Sequence, residues 1–497
     1  MKYSFSLAVC LLISSLALGS EFSARRAADR QARMAAAKDL PEALKRANES
    51  YLAALAGVCQ WLASLQAKSD ANTLLVEMTV LDPQNAALPG LKTSLEAIAA
   101  PAILNEAQQK ELATRLKAAR KSRATALANL AATCYRSGLL RMAYGLLVQV
   151  LDYDPDNPAA RQALGYVRAG AEWKDAFAAQ QLQKGNVYVP ESGWVAAATA
   201  ERVKKGEWCE NGKWMPLDEA NKLHKELAKP WAIETQHFML MSTLSRKESV
   251  EIAERLEGLR QACYGEYLDF FLRDRRSPQM QFTHALSKKM LVRLFAQKQD
   301  YDAEMKKEFK GQPAIQALLM LFPGFYMQIT HTSYFNQATP EPFRSLFMQN
   351  QVASQIFSEY AQTGNIGPKP WIGAGICGDA QYALPDETGR FSVPAGRKHP
   401  AVTKAAEMLQ KNNLPPLAAL FSYDNTAFHN PLNPGNADVA SALCHFLMST
   451  KDGAYAADFL DFVYDSYKGL RSANLSEYIG MDTAALEKEF QEYLKQQ

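Results

Sequence analysis

One stretch limits what this chain can fold into more than any other. Residues Asn350 to Asp379 read N-Q-V-A-S-Q-I-F-S-E-Y-A-Q-T-G-N-I-G-P-K-P-W-I-G-A-G-I-C-G-D. The pattern predicts a helix over Phe343–Tyr360, a polar loop, and a second helix opened by Pro370 and Trp371. Positions four apart share one helical face, so Asn350 and Ser354 look the same way. Taken locally, a buried amphipathic helix with two polar residues on that face accounts for the pattern.

The order of motifs adds a second reading. The stretch resembles the active-site segment of gluzincin metallopeptidases, in the secreted bacterial branch called peptidase-MA-like. Members of that branch carry H-E-x-x-H-Q on a helix, a polar loop, and P-x-W-L-x-E-G-x-A at the start of the next helix. On this alignment Asn350 stands at the first zinc histidine, Gln351 at the general-base glutamate, Ser354 at the second histidine and Ala374 at the third ligand. The surrounding Gln355, Pro370, Trp371, Ile372 and Gly375 match. The resemblance thus implies a peptidase-shaped domain that has lost its metal and its reaction, with Gln355, Trp371, Cys377 and Asp379 lining the vacated cleft.

Chemistry makes that loss severe. Catalytic zinc takes three nitrogen, sulfur or carboxylate ligands plus an open water position. A neutral amide and an alcohol bind zinc poorly, and the Ala374 methyl cannot bind it at all. Gln351 cannot take a proton from water near neutral pH. No catalytic residue, metal or cofactor is expected at these positions.

The chain has 497 residues, enough for two to four domains. Fifty-five Lys and Arg against 52 Asp and Glu leave +3, which gives no electrostatic case for nucleic acid or an anionic membrane. Residues 1–20 read as a secretory signal: Lys2, the apolar run Leu7–Leu18, and Ala17-Leu18-Gly19 as the cleavage site. That run is too short to span a bilayer, and no other segment is long enough. The expected location is therefore periplasmic or secreted. Six cysteines remain beyond the signal, widely spaced and without C-x-x-C, so buried free thiols are expected rather than a disulfide framework.

Residues 21–164 read as helical. Leu81-Asp82-Pro83-Gln84-Asn85 and Tyr153-Asp154-Pro155-Asp156-Asn157 share a signature, and the second resembles the end of a tetratricopeptide repeat. Leu130, Ala131, Ala143 and Leu147, with Ala71 and Leu75 before the first signature, fall at helix-packing positions. Residues 165–230 change texture to short aromatic-glycine units, a β-containing connector. Within it, Asn211-Gly212 predicts a two-residue hairpin that sets Cys209 across from Trp214. The aromatics are assigned to packing rather than to a carbohydrate platform.

Residues 231–497 form the degenerate peptidase-like domain of the resemblance. Ile233–Thr243 alternates as a strand, Ser245 and Glu248 form a capping box, and Phe322–Tyr326 fits an edge strand. The seven histidines (His224, His237, His284, His331, His399, His429, His445) are scattered, so no helix carries a metal-binding pair. A non-local site from His429, His445 and Asp379 stays open, as do Cys377 as a nucleophile and Glu359 with Asp379 as a carboxylate pair. The G-x-G-x-x-G at Gly373–Gly378 lacks the preceding strand of a dinucleotide site and reads as a loosened helix start.

The expected fold is mainly α with an α+β C-terminal domain: a tetratricopeptide-like array, the connector, and a gluzincin-like domain. The expected function is an exported, non-catalytic binder of a peptide, protein or glycan. The alternatives are an active hydrolase with a rebuilt or displaced site and a cell-envelope scaffold.

Overall fold

The structure, a computed structural model, describes residues 2–496 except 274–276, 284–285, 287, 363–367, 388, 431, 433–434 and 470–473. Side chains are described from residue 31 on, without those of 318, 397 and 452. The apolar run of the expected signal, His284 and much of the polar loop before Pro370 therefore lie outside the described side chains. The chain forms two units. One comprises residues 1–165 with 277–282, the other 166–276 with 283–497.

The first unit is helical: α1 (Lys2–Ser64), α2 (Lys68–Leu81), α3 (Leu88–Glu96), α4 (Glu106–Arg136), α5 (Leu140–Tyr153) and α6 (Pro158–Ala163). Both D-P-x-N signatures stop a helix in the same way. The Asp82 N–H closes α2 on the Met78 carbonyl, and the Asp154 N–H closes α5 on the Val150 carbonyl. The proline that follows has no N–H to continue the ladder. Asn85 Nδ2 then donates to Asp82 Oδ2 at 3.3 Å, and Asn157 Nδ2 to Asp154 Oδ2 at 3.1 Å. Ala131, Ala143 and Leu147 are fully buried, as is Ala71, and the small side chains let α4 and α5 pack closely. Leu55, Cys59, Leu62 and Met78 join one apolar cluster. Each such buried leucine contributes roughly 1.5–3 kcal/mol.

The second unit opens with three like pieces, each a hairpin followed by a helix. They are β1 (Tyr166–Ala169), β2 (Glu172–Asp175) and α7 (Ala176–Gln183); β3 (Asn186–Val189), β4 (Gly193–Ala196) and α8 (Ala200–Lys204); and β5 (Glu207–Glu210), β6 (Lys213–Pro216) and α9 (Leu217–Leu223). Gly185 and Gly206 link the pieces with φ of 77° and 81°, a region open to glycine at no steric cost. Their carbonyls accept from Ala197 and Leu217, the first residues beyond each following hairpin. A tryptophan recurs on each second strand: Trp173, Trp194 and Trp214. Guanidinium groups lie over two of them, Arg168 over Trp173 at 4.4 Å and Arg202 over Trp214 at 3.9 Å. The expected hairpin is present: Cys209 pairs with Trp214, and Asn211 and Gly212 both take positive φ.

A five-stranded sheet follows, in the order β10-β11-β9-β8-β7. Its strands are β7 (Trp231–Glu234), β8 (Phe238–Ser242), β9 (Met290–Phe295), β10 (Gly324–Met327) and β11 (Thr332–Asn336). The single strand expected over Ile233–Thr243 is instead the β7–β8 hairpin. Its turn is held by Glu257, whose carboxylate accepts from the Thr235 hydroxyl at 2.6 Å and the His237 N–H at 2.7 Å. Phe322–Tyr326 does supply an edge: among the described residues β10 pairs antiparallel with β11 alone.

Helices cover this sheet and fill the remainder. They are α10 (Arg246–Glu266), α11 (Leu268–Leu272), α12 (Lys298–Glu308), α13 (Pro313–Leu319), α14 (Phe343–Ala361), α15 (Pro370–Ala380), α16 (Pro400–Gln410), α17 (Leu417–Ser422), α18 (Asn425–Phe428), α19 (Asn436–Ser449), α20 (Ala456–Lys468), α21 (Leu475–Ile479) and α22 (Thr483–Gln496). The Ser245–Glu248 capping box starts α10 as expected. The fold is thus mainly helical, with a small mixed sheet in its C-terminal half. No described helix is long and apolar enough to cross a membrane.

Candidate functional site

The helix α14 presents the face that the alignment marked. Gln355 is fully buried and ties the helix to the sheet: its Nε2 donates to the His331 carbonyl at 3.0 Å, and its Oε1 accepts from Ser333 at 2.8 Å. One turn earlier, Gln351 Oε1 accepts from the Tyr326 N–H of edge strand β10 at 3.1 Å. Its Nε2 donates to Asn350 Oδ1 at 3.2 Å. Asn350, Gln351 and Ser354 are all half-buried. The face is neutral, and its amides spend themselves on one another and on backbone.

Helix α15 meets this face through a thiol. Burial pushes the Cys377 thiol up to about 12, while the Tyr467 and Ser354 hydroxyls work to lower it. A thiol so raised stays protonated near neutral pH. Cys263 and Cys444 are raised by burial as well, and all six described cysteines are free. Ala374, on the same helix, is half-buried. Trp371 is buried against Phe421 and Phe462.

The glycines of α15 explain its other neighbour. A β-carbon on Gly375 would lie 2.6 Å from Cys444 Sγ and 2.8 Å from the Ala440 carbonyl oxygen. The G-x-G-x-x-G run is therefore a close helix crossing, with α19 where a dinucleotide would have been. The crossing brings Asp379 of α15 beside His445 of α19. His399, at the N-terminal end of α16, completes the group.

Asp379 is 1% exposed and is the centre of that group. Its Oδ2 accepts from the Tyr267 hydroxyl. Its Oδ1 lies 3.0 Å from His445 Nδ1 and 2.9 Å from His399 Nε2. The two imidazoles stack at 4.4 Å between centroids. Burial works to raise the Asp379 pKa, yet the two imidazoles outweigh it and hold the carboxyl well below the usual range. Tyr267 moves the other way, raised first by burial and then by the Asp379 charge. One donor atom from each of Asp379, His399 and His445 lies within 4.8 Å of the others. Two nitrogens and one carboxylate oxygen form a ligand set for a divalent first-row transition ion.

Several expectations need correction. Gln355, Trp371, Cys377 and Asp379 are each at most 3% exposed, so they belong to the interior and not to the wall of an open cleft. Of the open metal combination, Asp379 and His445 do meet, but the third member is His399. His429 packs its ring against Phe428. Glu359 and Asp379 serve different partners: Glu359 Oε1 accepts from the Tyr326 hydroxyl at 3.1 Å and lies 2.7 Å from His331 Nδ1. His399 was legible only as one scattered histidine, since nothing local marks it. Comparison of the chain with protein-family models, curated proteins and solved structures found no match.

Proposed function

We propose that this is an exported, non-catalytic pseudo-metallopeptidase, and that its C-terminal unit binds an extended peptide along edge strand β10. The observation that carries the reading is the Gln351 carboxamide on the Tyr326 N–H. That oxygen sits where the carbonyl of an added peptide strand would accept, so Gln351 is a placeholder for a strand. A general base at this position would need a carboxylate, and an amide has no proton affinity to offer. Apolar side chains just before and after the strand stand in solvent: Leu321 is 81% exposed and Ile329 86%. Apolar exposure beside an edge that no further strand pairs among the described residues favours a partner that supplies both backbone and side chains.

Gln351→Ala uncovers the N–H. Binding of an immobilised random-decapeptide array should strengthen by roughly 2- to 12-fold, the equivalent of one hydrogen bond of about 0.5–1.5 kcal/mol. Unchanged binding sinks the edge-strand reading. Chelator-sensitive peptide hydrolysis that disappears in Gln351→Ala sinks the non-catalytic one, and favours the active-hydrolase alternative.

A further inference from the structure

We propose that Asp379, His399 and His445 bind a divalent first-row transition ion, of which zinc is the type, in an enclosed site separate from the Asn350–Ser354 face. The donor geometry comes first. Tetrahedral zinc with bonds of 2.0–2.2 Å sets its donors roughly 3.3 Å apart. The Asp379 oxygen stands 3.0 Å and 2.9 Å from the two imidazole nitrogens, and all three donors lie within 4.8 Å. Calcium and magnesium call for six or more oxygens, which this group cannot provide.

Polar satisfaction comes second. His399 is fully buried, and among the described atoms neither of its ring nitrogens has a hydrogen-bond partner. Its Nε2 is close to Oδ1 but off the line a hydrogen bond requires. Buried nitrogens without partners are rare in native proteins and need a cause. An ion between Oδ1 and the two rings supplies it. The Tyr267 hydroxyl meanwhile holds Oδ2, which turns Oδ1 towards the rings in the manner of an outer-shell partner.

Charge comes third. Among the described residues, Asp379 has no lysine or arginine within ion-pair distance; its ionic contacts are the two histidines. A buried carboxylate requires a compensating positive charge.

The full chain, purified without nickel resin, stripped with dipicolinate and reloaded with zinc chloride, should retain one zinc per chain through gel filtration, measured by mass spectrometry of the metal. Asp379→Asn, His399→Gln and His445→Gln should each abolish retention, while Asn350→Ala and Ser354→Ala leave it intact. Tyr267→Phe should weaken zinc by roughly 10- to 100-fold. Wild-type protein loaded with cobalt(II) should show the strong visible bands of a four-coordinate site, a readout that stands even where a variant fails to fold. A folded wild-type chain that retains no zinc and gives no such cobalt bands overturns the inference and leaves the peptide-binding proposal untouched. Zinc that survives the Asp379, His399 and His445 changes also overturns it. If that zinc leaves with Asn350→Ala or Ser354→Ala, the non-catalytic proposal falls as well.

Discussion

Two polar regions share the same pair of helices and solve burial differently. On α14, Asn350, Gln351 and Ser354 are neutral and half-buried, and the two amides lean on the neighbouring strand and on each other. Around α15, Asp379 is fully buried and ionised, and its partners are two stacked imidazoles and a tyrosine. The difference teaches which region tolerates change. A neutral amide that loses a partner loses one modest interaction, whereas a buried carboxylate holds a whole group in place.

The largest test removes the carboxylate. Asp379→Ala leaves the Tyr267 hydroxyl and His445 Nδ1 without their acceptor and should cost about 3–5 kcal/mol, read as a lowered urea midpoint of the C-terminal unit. A loss below 1 kcal/mol would erase the contrast. Next comes the helix crossing. Gly375→Ala forces a methyl against Cys444 and the Ala440 carbonyl, at an expected cost of about 1–3 kcal/mol. Gly373→Ala is its control, since the nearest side-chain atom, on Pro368, is 3.6 Å away. That change should be neutral or stabilise by under about 1 kcal/mol through helix propensity. Gln351→Ala, on the neutral face, should cost no more than about 0.5–1.5 kcal/mol in the same measurement.

The smallest effect separates acid sensitivity in general from the Asp379 group. His237 and Glu257 lie outside both regions. Burial holds the His237 pKa below its ordinary value despite Glu257, so below about pH 6.5 the unfolded chain takes up the proton first. Burial would raise Glu257, but His237 and Thr235 lower it, so its stabilisation is present above about pH 4.3 and fades as pH falls through its folded pKa. Both signs agree: stability declines on acidification, beginning near pH 6.5. Melting temperatures of His237→Phe, compared with wild type between pH 5 and 8, should show a shallower decline. An equal slope would remove this pair as the source.

Sequence alone was informative where the signal is local. The Ser245–Glu248 box, the Asn211-Gly212 turn and the two aspartate-proline stops need only neighbours within a few residues, and each stands where its chemistry placed it. Where the cause is distant, the local sequence carries no sign of it. The turn at Gln236 carries no glycine or proline; it depends on Glu257 on a later helix, so Ile233–Thr243 looked continuous. The glycines of α15 suggested loosening, yet their reason lies on α19. His399 owes its place to the packing of α16 on α19, a tertiary fact with no periodic trace. The three hairpin–helix pieces show in the sequence as separate aromatic-glycine units, and the common spacing of Gly165, Gly185 and Gly206 is the faint sign that they repeat.

That repetition has a consequence for how the segment can change over time. Because each piece finishes its own helix and hands over at a glycine, a duplication or excision of about one piece leaves both neighbours with intact ends. Length can then be gained or lost in whole steps, like links in a watch strap, while the sheet and helices downstream keep their register.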